Sequence, residues 1–208
     1  MSDDQPLSSP VEERITIVTD LYSKPEYATQ LGHMCAIWAR LEWQMFLLFK
    51  AISGAPDALA RSIFYAIESN RSRRDILLST GILAIERPGD KAELEKLISR
   101  IGRAATQRNK YVHDVWGVAQ TINNEVFQYR LSRCDGERDA EEVSVNDLIS
   151  ATAIIQDICN DLNSFRDKIA PTIASSHEKL RSRPGISLQF AKKGHPPGRK
   201  LKGFHGRR

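Results

Sequence analysis

Hydrophobic residues recur at helical spacing in several stretches of the chain. In the clearest stretch, which begins at Pro25, apolar positions follow one another at intervals of one to four residues. They are Leu31, Met34, Ile37, Trp38, Leu41, Met45, Leu48 and Ile52. That spacing places them on one face of a helix, and Gly54 suits its end because glycine accepts the left-handed conformation there. We therefore predict a long, largely buried first helix.

Start and stop signals predict two further helices before residue 88. Pro56 suits the first turn of a second helix that reaches about Ile67, because proline is preorganised for that position. Asn70 is predicted to cap a third helix over residues 71–86. The Pro88-Gly89 pair then interrupts the helical pattern.

Asp90 is predicted to cap a fourth helix that runs to about His113. After Gly117 the pattern changes to strict alternation around Asn123-Asn124. Alternation flanking such a pair is typical of a β-hairpin, so we predict one over about residues 117–132.

The segment CDGERDAEE that follows is predicted to be a charged loop. Ser144 and Asp147 then resemble a capping box, with Asp in place of the usual Glu. This box would open a last long helix that continues past Pro171 to about Leu180.

The pattern as a whole predicts an all-α domain, a bundle of four to five helices with the hairpin inserted before the last one. Residues 1–10 are predicted to be disordered and residues 11–180 to form the bundle. Residues 181–208 hold five Gly and three Pro. That composition cannot bury a core and predicts a disordered tail.

Charge is distributed unevenly between this tail and the body. The chain has 30 Lys and Arg against 26 Asp and Glu, a net charge of +4. Nine of the basic residues and none of the acidic ones lie in 181–208, so the body carries 21 against 26, or −5. The tail is either an arm that grips nucleic acid or another acidic partner, or an inert solvated terminus. Its candidate contacts are Lys192, Lys193, Arg199, Lys200, Lys202, Arg207 and Arg208.

Several classes of protein are disfavoured by the sequence. No apolar run approaches the length of a bilayer span, and the start MSDDQP predicts no secretory leader. The three cysteines are far apart and include no CxxC, which favours structural thiols in a reducing compartment. The histidines are separated from other metal ligands in the sequence. We therefore expect a cytoplasmic protein with no metal and no cofactor.

The fourth helix carries the candidate chemistry. Projected at 100° per residue, Arg108 lies about 20° from Leu97, within the apolar stripe, where a charge is unusual. Asn109 and His113 lie on one flank, at about 120° and 160°. The same flank holds Gly102, Ala105 and Thr106, so another helix or a substrate could approach it closely. Tyr111, Val112 and Val115 fall on the apolar stripe and are predicted to be core.

These residues also have a purely structural interpretation. Arg108 could pair with a buried carboxylate, and Glu42 is the candidate because it lies within the apolar stretch WARLEWQMF and needs a partner itself. A single helical histidine is more often a surface or core residue than a catalytic one. Spacing alone does not decide between the two interpretations.

Arg-Asn-x-x-x-His at the end of the fourth helix resembles the motif of the HEPN superfamily, in which Arg and His are separated by four to six residues. The Trp and Glu of WARLEW, the arginines of NRSRRD and the Trp-Gly pair after the histidine agree with it. The resemblance covers about residues 26 to 170.

The resemblance implies a metal-independent endoribonuclease. His113 would act as general acid or base, Arg108 would hold the phosphate, and Asn109 would orient the imidazole or the phosphate. It further implies RNA as substrate, a homodimer with a composite active site, and a neutralising partner where such a protein is a toxin. The alternative is a non-catalytic helical module that binds nucleic acid or protein through the basic tail.

Overall fold

The computed structural model describes residues 21–118, 126–131 and 138–182. Within these ranges it contains five helices and three short strands. The helices are α1 Pro25–Ser53, α2 Asp57–Tyr65, α3 Asn70–Ala84, α4 Pro88–His113 and α5 Val145–Ser182. The strands are β1 Val115–Val118, β2 Val126–Leu131 and β3 Arg138–Glu142. The prediction of a helical bundle with a small β insertion before the last helix is confirmed.

Helix α1 is the centre of the bundle and packs against the other four helices. Met34, Leu41, Met45 and Ile52 of its predicted apolar face are completely buried. The contacts of α1 with α5 advance along both helices in the same direction, from Arg40–Gln156 to Ile52–His177. The two helices are therefore parallel, and burial of their shared apolar surface is the main stabilising contribution to the core.

Helices α3 and α4 run antiparallel. An added methyl group at Gly81 of α3 would overlap Leu94, near the start of α4. Further on, Arg74 near the start of α3 lies against Gly102 in the second half of α4. The amino-terminal end of α3 therefore lies beside the last turns of α4, where the candidate residues are.

The three strands pair in the order β1-β2-β3, with both pairs antiparallel. The pairing of β1 with β2 agrees with the predicted hairpin, although its turn, Asn123-Asn124, lies outside the described residues. Strand β3 corrects the prediction of a charged loop over this segment. Its sequence, RDAEE, has no apolar alternation from which a strand could be predicted. It is nevertheless a strand because its backbone pairs with β2.

Two predicted helix caps are wrong. The cap of α3 is Ser69, whose Oγ accepts a hydrogen bond from the backbone N–H of Ser72 at 3.0 Å. Asn70 is instead the first residue of the helix. Helix α3 also ends at Ala84, two residues earlier than predicted. Helix α4 begins at Pro88 rather than after an Asp90 cap.

Asp90 instead fastens α4 to α5. Its carboxylate is buried, with Lys168 Nζ of α5 at 2.9 Å and Arg87 Nε at 2.7 Å. The hydrogen bond from Lys168 and the charge of Arg87 hold the pKa of Asp90 below its ordinary value, against the opposing effect of burial.

The capping box before α5 is confirmed. The backbone N–H of Ser144 donates to Asp147 Oδ2 at 2.8 Å, and the N–H of Asp147 donates to Ser144 Oγ at 3.2 Å. Helix α5 continues past Pro171, as predicted.

Other predictions fall outside the described residues. They concern residues 1–20, including the disordered start, and the basic tail beyond residue 182 with all its candidate contacts. None of the described helices is both long and apolar enough to cross a bilayer.

The end of α1 provides a test of the packing. Gly54 has a φ of 62°, in the left-handed region, and a Cβ added there would overlap the ring of His177 from α5. Because both backbone and ring resist a side chain, Gly54→Ala should lower the free energy of unfolding by about 1–3 kcal/mol. Urea denaturation measures the change.

Gly32→Ala is the matched control within the same helix. A Cβ at Gly32 meets nothing within 4 Å, so this substitution should stabilise the protein by about 0.5–1 kcal/mol. Equal stability of the two variants would contradict the described contact between α1 and α5.

Candidate functional site

The candidate residues form one cluster at the end of α4. Arg108 Nη1 donates a hydrogen bond to Asn109 Oδ1 at 3.1 Å and lies 3.3 Å from His113 Nε2. Helical projection places Arg108 and His113 about 140° apart. The guanidinium nevertheless reaches His113, because the long arginine side chain folds around the helix.

The ring of Trp38 from α1 lies against the guanidinium of Arg108. The guanidinium carbon lies 5.6 Å from the ring centroid, which is within the range of a cation–π contact. No carboxylate in the described ranges pairs with Arg108, and its buried Nε has no hydrogen-bond partner there. Within the described residues, the charge of Arg108 is therefore held against an aromatic face and has no carboxylate counter-ion.

Glu42 forms an ion pair, but its partner is Arg73 of α3 and not Arg108. Glu42 Oε1 lies 3.4 Å from Arg73 Nη1 and accepts a hydrogen bond from Trp38 Nε1 at 3.3 Å. The structural interpretation of Arg108 as the partner of Glu42 is therefore incorrect. Trp38 separates the two charges, since its ring faces Arg108 and its N–H faces Glu42.

The contact with Arg108 has one possible direction as a hydrogen bond. A guanidinium N–H can only donate, so a hydrogen bond between Arg108 Nη1 and His113 Nε2 requires the imidazole nitrogen as acceptor and the ring proton on Nδ1. Both His113 and Asn109 are exposed, while Arg108 is half-buried. The cluster therefore presents a basic nitrogen and a cation at a surface.

Tyr111 belongs to the core, as its place on the apolar stripe predicts. Its side chain is buried, and its carbonyl oxygen accepts a hydrogen bond from Trp116 Nε1 at 2.9 Å. Trp116 is itself buried against Tyr27 of α1. Val112 and Val115 are half-buried. These contacts anchor the end of α4 and the first strand to the bundle, which keeps His113 in place.

The small-residue flank was predicted to let another helix or a substrate approach closely, and at Gly102 it is α3 of the same chain that does so. The guanidinium carbon of Arg74 lies 3.3 Å from the position a Cβ would take at Gly102. Ala105 is buried. Thr106 is exposed, as are Asn109 and His113 further along. A second helix could therefore approach at the last two turns of α4 and not at Gly102.

Three further residues complete the surroundings of the site, namely Trp38, Arg73 and Arg74. The stretches WARLEW and NRSRRD marked all three as part of a pattern, but no sequence signal showed which residue each would contact. In the described residues, no group of three or more His, Cys, Asp or Glu is arranged to hold a metal ion.

No family model, no curated protein and no solved structure matches the chain.

A double-mutant cycle tests the assignment of Glu42. Glu42→Gln combined with Arg73→Met should show a coupling energy of about 1 kcal/mol, because the two charges are partly buried together. Glu42→Gln combined with Arg108→Met should show a smaller coupling energy than the first pair, because these two residues are connected only through their shared neighbour Trp38. Urea denaturation of the single and double variants gives both values. Stronger coupling of Glu42 to Arg108 than to Arg73 would contradict the described ion pair.

Proposed function

We propose that the chain is a metal-independent endoribonuclease of the HEPN type, with Arg108, Asn109 and His113 as its active-site residues. The observation that carries the proposal is the contact between Arg108 and His113. A guanidinium without a carboxylate partner is poised for an anion. The imidazole beside it is a group that can accept a proton. This combination suits the cleavage of a phosphodiester.

The proposed reaction begins with a phosphate bound by Arg108. Nη2 of Arg108 makes no hydrogen bond to the described residues and is available to the non-bridging oxygens of the phosphate. His113 Nε2 exchanges its contact with Arg108 for the ribose 2′-hydroxyl and takes the proton of that hydroxyl. The hydroxyl oxygen then attacks the adjacent phosphorus. The bond from phosphorus to the 5′-oxygen breaks and leaves a 2′,3′-cyclic phosphate. Arg108 offsets the negative charge that grows in the transition state.

The 5′-oxygen leaves with a proton that an acid must supply. One chain offers a single imidazole in this cluster. We therefore include in the proposal a homodimer in which a second copy of the cluster faces the first and supplies that acid. The exposed last turns of α4, with Thr106, Asn109 and His113, are the surface that suits such an approach.

RNA as substrate, action in the cytoplasm and a role in a toxin–antitoxin or antiviral system complete this proposal. A neutralising antitoxin would then cover the exposed cluster. The second candidate function is a non-catalytic module that binds nucleic acid or protein through its basic tail. The asymmetry of charge favours it, because residues 181–208 hold nine cations and no acid.

Replacement of the imidazole tests the proposed reaction. Purified protein should cleave single-stranded RNA in EDTA and leave 2′,3′-cyclic phosphate ends. His113→Ala should lower the rate at least about 100-fold, because the general base is lost. Arg108→Ala should lower it about 100- to 1,000-fold, because transition-state charge is no longer offset. Gel analysis of labelled RNA measures the rates.

His33→Ala is the matched control, since His33 is an exposed histidine on α1, and this variant should cleave like the wild type. Undiminished cleavage by His113→Ala would refute the assignment. If the wild type does not cleave but binds RNA through residues 181–208, the binding module is the correct function.

A further inference from the structure

The amino-terminal end of α3 carries a second guanidinium, that of Arg74. Arg74 Nε donates to Asn70 Oδ1 at 3.2 Å, which orients the side chain. Neither terminal nitrogen of Arg74 forms a hydrogen bond or an ion pair with any described residue. The side chain is half-buried against Gly102 of α4. Arg74 thus resembles Arg108, because both are held in place and neither has a carboxylate partner in the part of the chain that the structure describes.

Arg74 lies on the same flank of α4 as the catalytic cluster. In helical projection Gly102, Asn109 and His113 fall within about 40° of one another. The rise of the helix separates Gly102 from Asn109 by roughly 10 Å. One phosphate group cannot bridge that distance, so a single strand lying along this flank would bring different phosphates to Arg74 and to Arg108.

The local charge favours an anion beside Arg74. The first turn of α3 contains no acidic residue, and its free N–H groups add partial positive charge. The buried Nδ2 of Asn70 also lacks an acceptor among the described residues. Glu68 and Asp75 are the nearest acids in sequence, and neither forms an ion pair with Arg74.

We infer that Arg74 is a second phosphate-binding residue, and that it holds the backbone of a single-stranded RNA one or more nucleotides away from the phosphate that is cleaved at His113. This inference rests on the proposed function. Arg74 is a positioning residue, because it would touch the substrate without reaching the reacting atoms. With this second contact, the inferred substrate is a strand of several nucleotides that lies along α4, and not a single phosphodiester.

Two substrates distinguish the binding of a second phosphate by Arg74 from a general effect of Arg74 on activity. The first is the dinucleoside monophosphate that contains only the mapped cleavage site, and the second is the tetranucleotide extended by one nucleotide on each side. Arg74→Ala should lower kcat/KM about tenfold on the tetranucleotide, through KM. It should leave the dinucleoside monophosphate unchanged. Equal losses on both substrates would refute the inference.

Two more variants check the geometry. Gly102→Ala keeps the charge but places a Cβ where Arg74 Nη1 now lies, so it should reproduce the defect on the tetranucleotide. Arg103→Ala is the matched control, because Arg103 is an exposed arginine on a different face of α4. Its guanidinium donates a hydrogen bond to Ser99 Oγ. Arg103→Ala should act like the wild type. A defect equal to that of Arg74→Ala would refute a specific role.

A binding measurement decides the inference independently of cleavage. Fluorescence anisotropy with labelled dodecauridylate should show about tenfold weaker binding for Arg74→Ala. The slope of log K against log salt should fall by about 0.7, as expected when one phosphate contact to a single strand is lost. If the wild type cleaves nothing, the proposed function fails, and this measurement still decides the role of Arg74. An unchanged affinity and slope would refute the inference.

Discussion

The contact between Trp38 and Arg108 is the interaction on which the site depends. A permanently charged guanidinium in the apolar stripe of a helix is costly unless it finds a partner. Here the partner is an aromatic face, which attracts the cation without neutralising it. A carboxylate in that place would neutralise the guanidinium of Arg108, which would then have no free charge with which to bind another anion. Since the ring supplies no countercharge, it leaves the charge of Arg108 un-neutralised, as the proposed binding of a phosphate requires.

Trp38 also keeps the nearby acid away from Arg108. Its N–H donates to Glu42, and Glu42 pairs with Arg73 on the neighbouring helix. Polar groups of three helices are thereby connected through one side chain of α1, at the level where α3 begins and α4 ends. The antiparallel arrangement of α3 and α4 brings Arg74 to the same region. Among the described residues, Glu42 pairs with Arg73, while Arg74 and Arg108 have no carboxylate partner.

The helices and the motif could be predicted from the sequence because each depends on residues that lie close together along the chain. The buried face of α1 and the Ser144–Asp147 box follow from spacing alone. The cap of α3 was misplaced by one residue because Ser69 and Asn70 are both good caps, and the hydrogen bond decides between them. Strand β3 was missed because paired backbone groups hold it, while its sequence is that of a charged loop.

The partners of the charged residues could not be predicted in the same way. Sequence shows that Glu42 and Arg108 each need a partner, but tertiary packing decides which one each obtains. A helical projection gives the direction of the Cα–Cβ bond. It does not give the position of the guanidinium at the end of an arginine side chain. That is why Arg108 reaches His113 although the projection separates them. The flank at Gly102 was expected to be open for a similar reason, because the long side chain that covers it comes from another helix.

We propose that Arg108 and His113 bind one phosphate together, which an NMR titration measures at both residues. The ligand is a dinucleotide with a 2′-deoxy residue at the cleavage site, which binds but cannot be cleaved. Joint binding predicts that the guanidinium Nε–H resonance of Arg108 and the ring resonances of His113 shift together with a single dissociation constant, and that Trp38→Leu weakens this binding. Shifts at neither residue, or at only one of them, would contradict it.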